Sequence, residues 1–126
     1  MDGELFSLVM PYANTDCMNV FLEELSKAYP ADHIVLILDN ASWHSSSRLV
    51  IPSNIQLYPL LPYTPELNPI EMIWDEVREK GFRNEIFRSL DGVLDRLCDT
   101  VKSLCSDPQR IASITRRQWL IDALTF

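Results

Sequence analysis

Basic side chains are scarce in this chain. Of its 126 residues, eleven are Lys or Arg against eighteen Asp or Glu, a formal net charge of −7. That is the wrong sign for a free-standing nucleic-acid binder, which usually presents a basic face. Cysteine is sparse as well. Three cysteines without paired spacing argue against a disulfide framework, and Cys98 and Cys105 fall on the apolar stripe of an expected helix, where they read as reduced core residues. No apolar run approaches the roughly 18 residues that span a bilayer, and the first residues lack the basic-then-apolar order of a signal peptide. The expected location is therefore the cytoplasm, with no membrane partner. Internal repeats and low-complexity tracts are also missing. What is present is 47% hydrophobic content over the length of one domain, enough for a real core.

The charge is unevenly placed. Residues 1–77 hold two basic and eleven acidic side chains, a net of −9, and residues 78–126 hold nine basic and seven acidic, a net of +2. Any phosphate-facing surface is expected in the C-terminal part.

Glu4 to Met10 (ELFSLVM) is a short apolar run closed by Pro11, the pattern of a strand. From about Asp16 to Tyr29 the apolar positions Met18, Phe21, Leu22, Leu25 and Ala28 follow helical spacing, with Asn14 or Thr15 as N-cap and Pro30 beyond. Ile34 to Leu38 (IVLIL) is continuously apolar and β-branched, as in a strand buried on both faces of a parallel α/β sheet. The serine-rich stretch Ser42 to Ser47 follows, and Ile55 to Leu60 reads as another strand, with Pro59 favouring an edge or terminal position. Ile70, Ile73, Trp74 and Val77 mark one face of a helix that Gly81 is expected to end. A further helix runs from about Leu90 to Leu104 with Ser89 as N-cap, and Pro108 to Phe126 also looks helical. The order of elements predicts an α/β fold, about three strands flanked by four to five helices in one domain.

Two carboxylates stand at positions where chemistry can be assembled. Asp39 is placed at the carboxyl end of the IVLIL strand, where open α/β sheets gather catalytic groups. Its purely local alternative is an Asx turn. Glu71 also has a local explanation, because Asn68-Pro69-Ile70-Glu71 matches a capping box. There Asn68 is the N-cap, Pro69 the first helical residue, and Glu71 the side chain that reaches back to the Asn68 N–H. Local physics does not explain the combination of a buried strand ending in Asp39, a second strand, an approach stiffened by Pro59, Pro62, Pro65 and Pro69, and a carboxylate in a first helical turn. Two hard oxygen donors brought together make a site for Mg²⁺ or Mn²⁺. In two-metal phosphoryl transfer, ions about 3.5–4 Å apart activate the attacking oxygen and stabilise the leaving one.

LILDNASWH (Leu36 to His44) followed by LPYTPELNPIEMIW (Leu61 to Trp74) resembles the two downstream catalytic motifs of the mariner-type superfamily of DDE transposases, particularly its bacterial insertion-sequence branch. The second motif is the more specific, and the resemblance covers about Glu4 to Leu104. It implies an RNase H-like transposase/integrase core, Mg²⁺ or Mn²⁺ dependence, and cleavage and rejoining of transposon-end DNA. On it, Asp39 matches the second carboxylate of the triad and Glu71 the third, both catalytic and metal-binding. Asn40 and His44 match accompanying positions, His44 either contacting phosphate or ordering the loop. Asn68, Pro69 and Trp74 would position the Glu71 helix, with Trp74 in the core. Arg78, Lys80, Arg83 and Arg88 are candidate DNA-backbone contacts, or simply a solvated face.

The family pattern also needs a first aspartate on a neighbouring strand. Asp2, Asp16 and Asp32 are not placed for that role, so residues 1–126 read as a truncated catalytic domain without its first strands and without the upstream DNA-binding region. With two of three carboxylates, the polypeptide alone is expected to show no robust nuclease activity. The exposed sheet edge predicts a homodimer or higher oligomer. Two alternatives remain open: another RNase H-like nuclease completed by a partner chain, and a non-catalytic module that assembles with full-length transposase and modulates it. The expected setting is the bacterial cytoplasm, and the nucleoid when DNA is bound.

Overall fold

In the computed structural model, which describes residues 2–44 and 46–124, the chain forms two units: Leu8–Asn68, and Met1–Ser7 together with Pro69–Phe126. Each is built from locally signalled elements.

In the first unit, Asn14 has extended backbone and its side chain accepts the Cys17 N–H at 2.9 Å, so helix α1 starts at Thr15 and runs Thr15–Ala28. Strands β1 (Ile34–Leu38) and β2 (Ile55–Pro59) pair in parallel, from Ile34 opposite Ile55 to Leu38 opposite Pro59. The crossover between them holds a short 3₁₀ turn, Ser42–His44; Ser45, within the serine-rich stretch, lies outside the described residues. Met18, Leu22 and Leu25 of α1 are buried, as are Leu38 and Ile55 at the strands.

Two asparagines stitch this unit together. Asn54 donates through Nδ2 to the carbonyls of Tyr29 (3.1 Å) and Asp32 (3.3 Å), accepts from Ser26 Oγ at 2.6 Å, and its own carbonyl takes the Ile34 N–H at 2.7 Å. The end of α1, the turn after it and the starts of both strands therefore meet on one residue. Asn19 on α1 donates to Arg48 O at 3.1 Å and accepts from Val50 N at 2.8 Å, which pins the crossover to the helix.

In the second unit, α2 (Ile70–Val77) continues as a π-helical turn, Arg78–Phe82. It is followed by α3 (Leu90–Cys105), α4 (Pro108–Thr115) and α5 (Gln118–Leu124). Ile73, Val77, Leu104 and Ile111 form the buried core, with Leu5, Phe82, Leu97, Val101 and Ile114 packed against it. Ser89 and Asp107 cap α3 and α4 by accepting the Gly92 and Arg110 N–H groups. Gly81 is buried against Thr100; a Cβ there would lie 2.4 Å from Thr100 Oγ1, so only glycine permits the approach.

Several expectations are corrected. Glu4 to Met10 is not a strand, and the sheet among the described residues has two strands rather than three, beside five helices. The segment goes elsewhere: Leu5 joins the helical core and its carbonyl accepts from Cys105 Sγ at 3.5 Å, while residues from Leu8 onward belong to the other unit. A strand needs a ladder partner, and this segment's apolar face has helices to pack on. β1 is not buried on both faces, since Val35 is 54% exposed. Trp74 lies outside the core at 46% exposure, because Ile73 and Val77 take the inward face of α2. Gly81 sits inside the π turn and does not end the helix. None of the free cysteines is a core residue: Cys17 and Cys98 are half-buried and Cys105 is exposed. The C-terminal helical stretch breaks into α4 and α5, and residues 125–126 lie outside the described residues.

Candidate active site

Asp39 directly follows β1, so a parallel strand pair delivers its carboxylate at the carboxyl edge of the sheet. The side chain is 68% exposed. Its Oδ1 accepts the Ala41 N–H at 3.2 Å, the Asx turn that the local reading anticipated. The same oxygen lies 2.8 Å from His44 Nδ1, and that nitrogen is also 2.9 Å from the Asp39 carbonyl oxygen. Two acceptors on one ring nitrogen require Nδ1 to carry the proton, which fixes the imidazole tautomer. The 3₁₀ turn makes this possible by donating His44 N–H to Ala41 O at 2.9 Å, folding His44 back over Asp39. Asn40 donates through Nδ2 to Leu60 O at 3.0 Å, and Leu60 N–H donates to Leu38 O at 2.7 Å. The loop that carries Asp39 is thereby tied to the end of β2.

Glu71 belongs to the other unit, in the first turn of α2. Asn68 has extended backbone and Pro69 already has helical dihedrals, as a proline at a helix start should. The reciprocal half of the capping box is not formed: the Asn68 N–H donates to Pro65 O at 2.9 Å, closing the 3₁₀ turn Pro65–Leu67. Thr64 stiffens the approach, its Oγ1 donating to Leu61 O at 2.6 Å, and Tyr63 is held at φ 61° and fully exposed. The Glu71 side chain is exposed and makes no hydrogen bond among the described residues. Carboxylate oxygens in these settings suit Mg²⁺ or Mn²⁺, which take hard oxygen donors. Among the described residues no group of three His, Cys, Asp or Glu side chains converges.

The basic residues on and after α2 are mostly engaged on their own helix. Arg78 pairs with Asp75, Arg83 with Glu79, and Lys80 with Glu76 at 3.3 Å. Arg88 is exposed, with no carboxylate partner among the described residues. Sequence reading missed a two-pronged ionic contact of this unit. Glu76, nearly buried, accepts Arg110 Nε and Nη2 at 2.9 Å each. These hydrogen bonds hold the Glu76 carboxyl below its ordinary range, opposed by burial and reinforced by Lys80. The clamp lines an open groove of about 710 Å³ with Met72, Phe82 and Ile114. Partners 34 positions apart leave no local signal, so periodicity could not have found them.

The sequence matches the family described as DDE superfamily endonuclease over residues 2–93, a span that contains both β-strands, Asp39, His44 and Glu71. The chain belongs to that family. It is also similar to the uncharacterized protein y4pE/y4sA of Sinorhizobium fredii (strain NBRC 101917 / NGR234), with 38% identity over 118 residues, covering 93% of this chain and 87% of that protein. No solved structure matches. Membership makes this a transposase-like nuclease domain whose substrate class is DNA. No helix among the described residues is long and apolar enough to cross a membrane.

Proposed function

We propose that the chain contributes Asp39 and Glu71 to a divalent-metal centre that cuts and rejoins transposon-end DNA. The observation that carries this reading is the hydrogen bond from Asn68 N–H to Pro65 O. It removes the cap that would have occupied Glu71 and leaves an exposed carboxylate with no local structural task. Asp39 supports the same reading, with one oxygen oriented by His44 and the Ala41 N–H.

When bound, Mg²⁺ or Mn²⁺ supplies a Lewis acid for phosphate oxygens and an activated water or hydroxyl. The chain's own residues do the positioning. His44 donates its Nδ1 proton to Asp39 and restricts the carboxylate's rotation, Asn40 anchors the loop on Leu60, and the prolines with Asn68 fix where α2 begins. Of the four candidate contacts, Arg88 is the one best disposed to meet the DNA backbone, because Arg78, Lys80 and Arg83 must first release their carboxylates.

The test is nicking of supercoiled DNA in Mg²⁺ or Mn²⁺, by the chain alone and mixed with a full-length transposase of the family. Weak or absent activity alone, and metal-dependent activity in the mixture that Asp39→Asn or Glu71→Gln lowers, supports the reading. Activity indifferent to both substitutions overturns it. A second reading, a non-catalytic module that assembles with full-length transposase, is favoured by the absence of a three-ligand cluster among the described residues. It requires that binding to transposase survive both substitutions while neither alters cleavage.

A further inference from the structure

Tyr63 carries two local costs that no contact among the described residues offsets. It follows Pro62 in the turn after β2 and is held at φ 61°, a left-handed position that glycine or asparagine normally takes. Its side chain is 99% exposed and has no hydrogen-bond or ring partner among the described residues. The posture is set within the turn itself. Thr64 Oγ1 donates to Leu61 O at 2.6 Å, and Pro62 and Pro65 restrict the backbone on either side. A short, stiff and strained segment therefore holds an aromatic ring in water, and such outliers point to a task outside the fold.

Chain connectivity keeps that ring near Asp39. Leu60 donates its N–H to Leu38 O at 2.7 Å and accepts Asn40 Nδ2 at 3.0 Å, so it lies beside both neighbours of Asp39. Three further residues reach at most about 11 Å, which leaves Tyr63 at the same carboxyl edge of the sheet. Tyr58 and Leu61, both exposed, add apolar surface at this strand end. Residues 55–68 contain no Lys, Arg or His and one acid, Glu66. The segment thus offers a phosphate no charge, whereas its aromatic plane suits the flat face of a nucleobase.

We propose that Tyr63 stacks on an unpaired base of the DNA, within about three base steps of a phosphate held beside Asp39. The ligand is a single-stranded or strand-end nucleotide, because a base inside a duplex already has both faces stacked. Stacking tolerates every base, so Tyr63 supplies affinity and local placement of the strand without reading its sequence. DNA as the substrate class follows from the family, and only the place of the phosphate rests on the metal-centre reading.

Titration of the full chain with DNA in the absence of metal tests the contact and is independent of the nicking assay. The probes are a short oligodeoxyadenylate, an abasic strand of the same length and a blunt duplex. In spectra of ring-labelled tyrosine, the Tyr63 protons, assigned by their loss in Tyr63→Phe, should move upfield with the adenine strand and stay in place with the abasic one. Tyr63→Phe should keep the affinity for the adenine strand, and Tyr63→Ala should lower it about 5–150-fold, the range for losing one base–aromatic stack. Tyr63→Gly should bind as weakly as Tyr63→Ala yet unfold at no lower temperature than wild type, because glycine accepts the left-handed backbone. No binding at millimolar strand overturns the proposal, as do unmoved Tyr63 resonances or an abasic strand or blunt duplex bound with the same dependence on Tyr63. A Tyr63→Gly chain that melts several degrees early also overturns it, since the ring would then have a task within the fold. Stacking seen without metal-dependent nicking removes the metal-centre reading and leaves this contact standing.

Discussion

His44 Nδ1 stands 2.8 Å from Asp39 Oδ1 and 2.9 Å from the Asp39 carbonyl oxygen, so one N–H serves two oxygens of the residue it orients. Neutral His44 is therefore expected as the Nδ1–H tautomer. Long-range ¹H–¹⁵N correlation spectra should show a protonated Nδ1 and a pyridine-like Nε2; the reverse pattern would contradict the geometry. In an active assembly His44→Ala should lower cleavage about 10–100-fold, the range for losing a group that orients a metal-binding carboxylate. His44→Asn should recover part of that loss.

Glu71 and Ser89 sit in comparable places, at the first turns of α2 and α3, but only Ser89 caps. Its Oγ accepts the Gly92 N–H at 3.1 Å, whereas the backbone N–H that Glu71 would cap is already bonded to Pro65 O. Ser89→Ala is expected to destabilise by about 1 kcal/mol. Glu71→Gln should stay within about 0.5 kcal/mol of wild type. Urea denaturation of both variants measures the contrast, and a large loss for Glu71→Gln would return Glu71 to a structural role.

Gly81 lets the π turn meet α3 at Thr100. Gly81→Ala would thrust a methyl group to 2.4 Å from Thr100 Oγ1, and an overpacking loss of about 1–3 kcal/mol is expected. Thr100→Ala removes that oxygen and should recover part of the loss in the double variant. Purely additive losses would show that the two residues do not meet in solution.

The Glu76–Arg110 clamp predicts an acid-sensitive second unit. Because the hydrogen bonds from Arg110 hold the folded Glu76 carboxyl below its ordinary value of 4.5, the unfolded state binds its proton first as pH falls. The stabilisation is fully present above the ordinary value and is lost as pH drops through the depressed one. Thermal unfolding should show wild type exceeding Glu76→Gln in Tm by a constant margin near neutrality, with the gap closing in acid. A gap that widens in acid would give the shift the opposite sign.

The α1 and α3 caps, the α1 stripe and the parallel strand pair were legible because their causes lie within a few residues: Asn14 and Ser89 each find an N–H three positions on. Asp39 at a strand end and Glu71 in a first helical turn were legible for the same reason, since motif spacing fixes both. The capping box failed because Asn68 N–H had a nearer acceptor in Pro65, and choosing between two local acceptors depends on the turn geometry of the whole approach.

What the sequence alone determined is which short segments form helix or strand and where each carboxylate stands along its own element, because backbone hydrogen bonds and caps act over three or four positions. Only the tertiary structure decided that Leu5 joins the helical core instead of founding a strand, that Trp74 faces outward while Ile73 and Val77 face in, and that Asn54 and the Glu76–Arg110 pair hold each unit together. Those outcomes turn on which surfaces meet across tens of residues, and neither periodicity nor propensity carries that information.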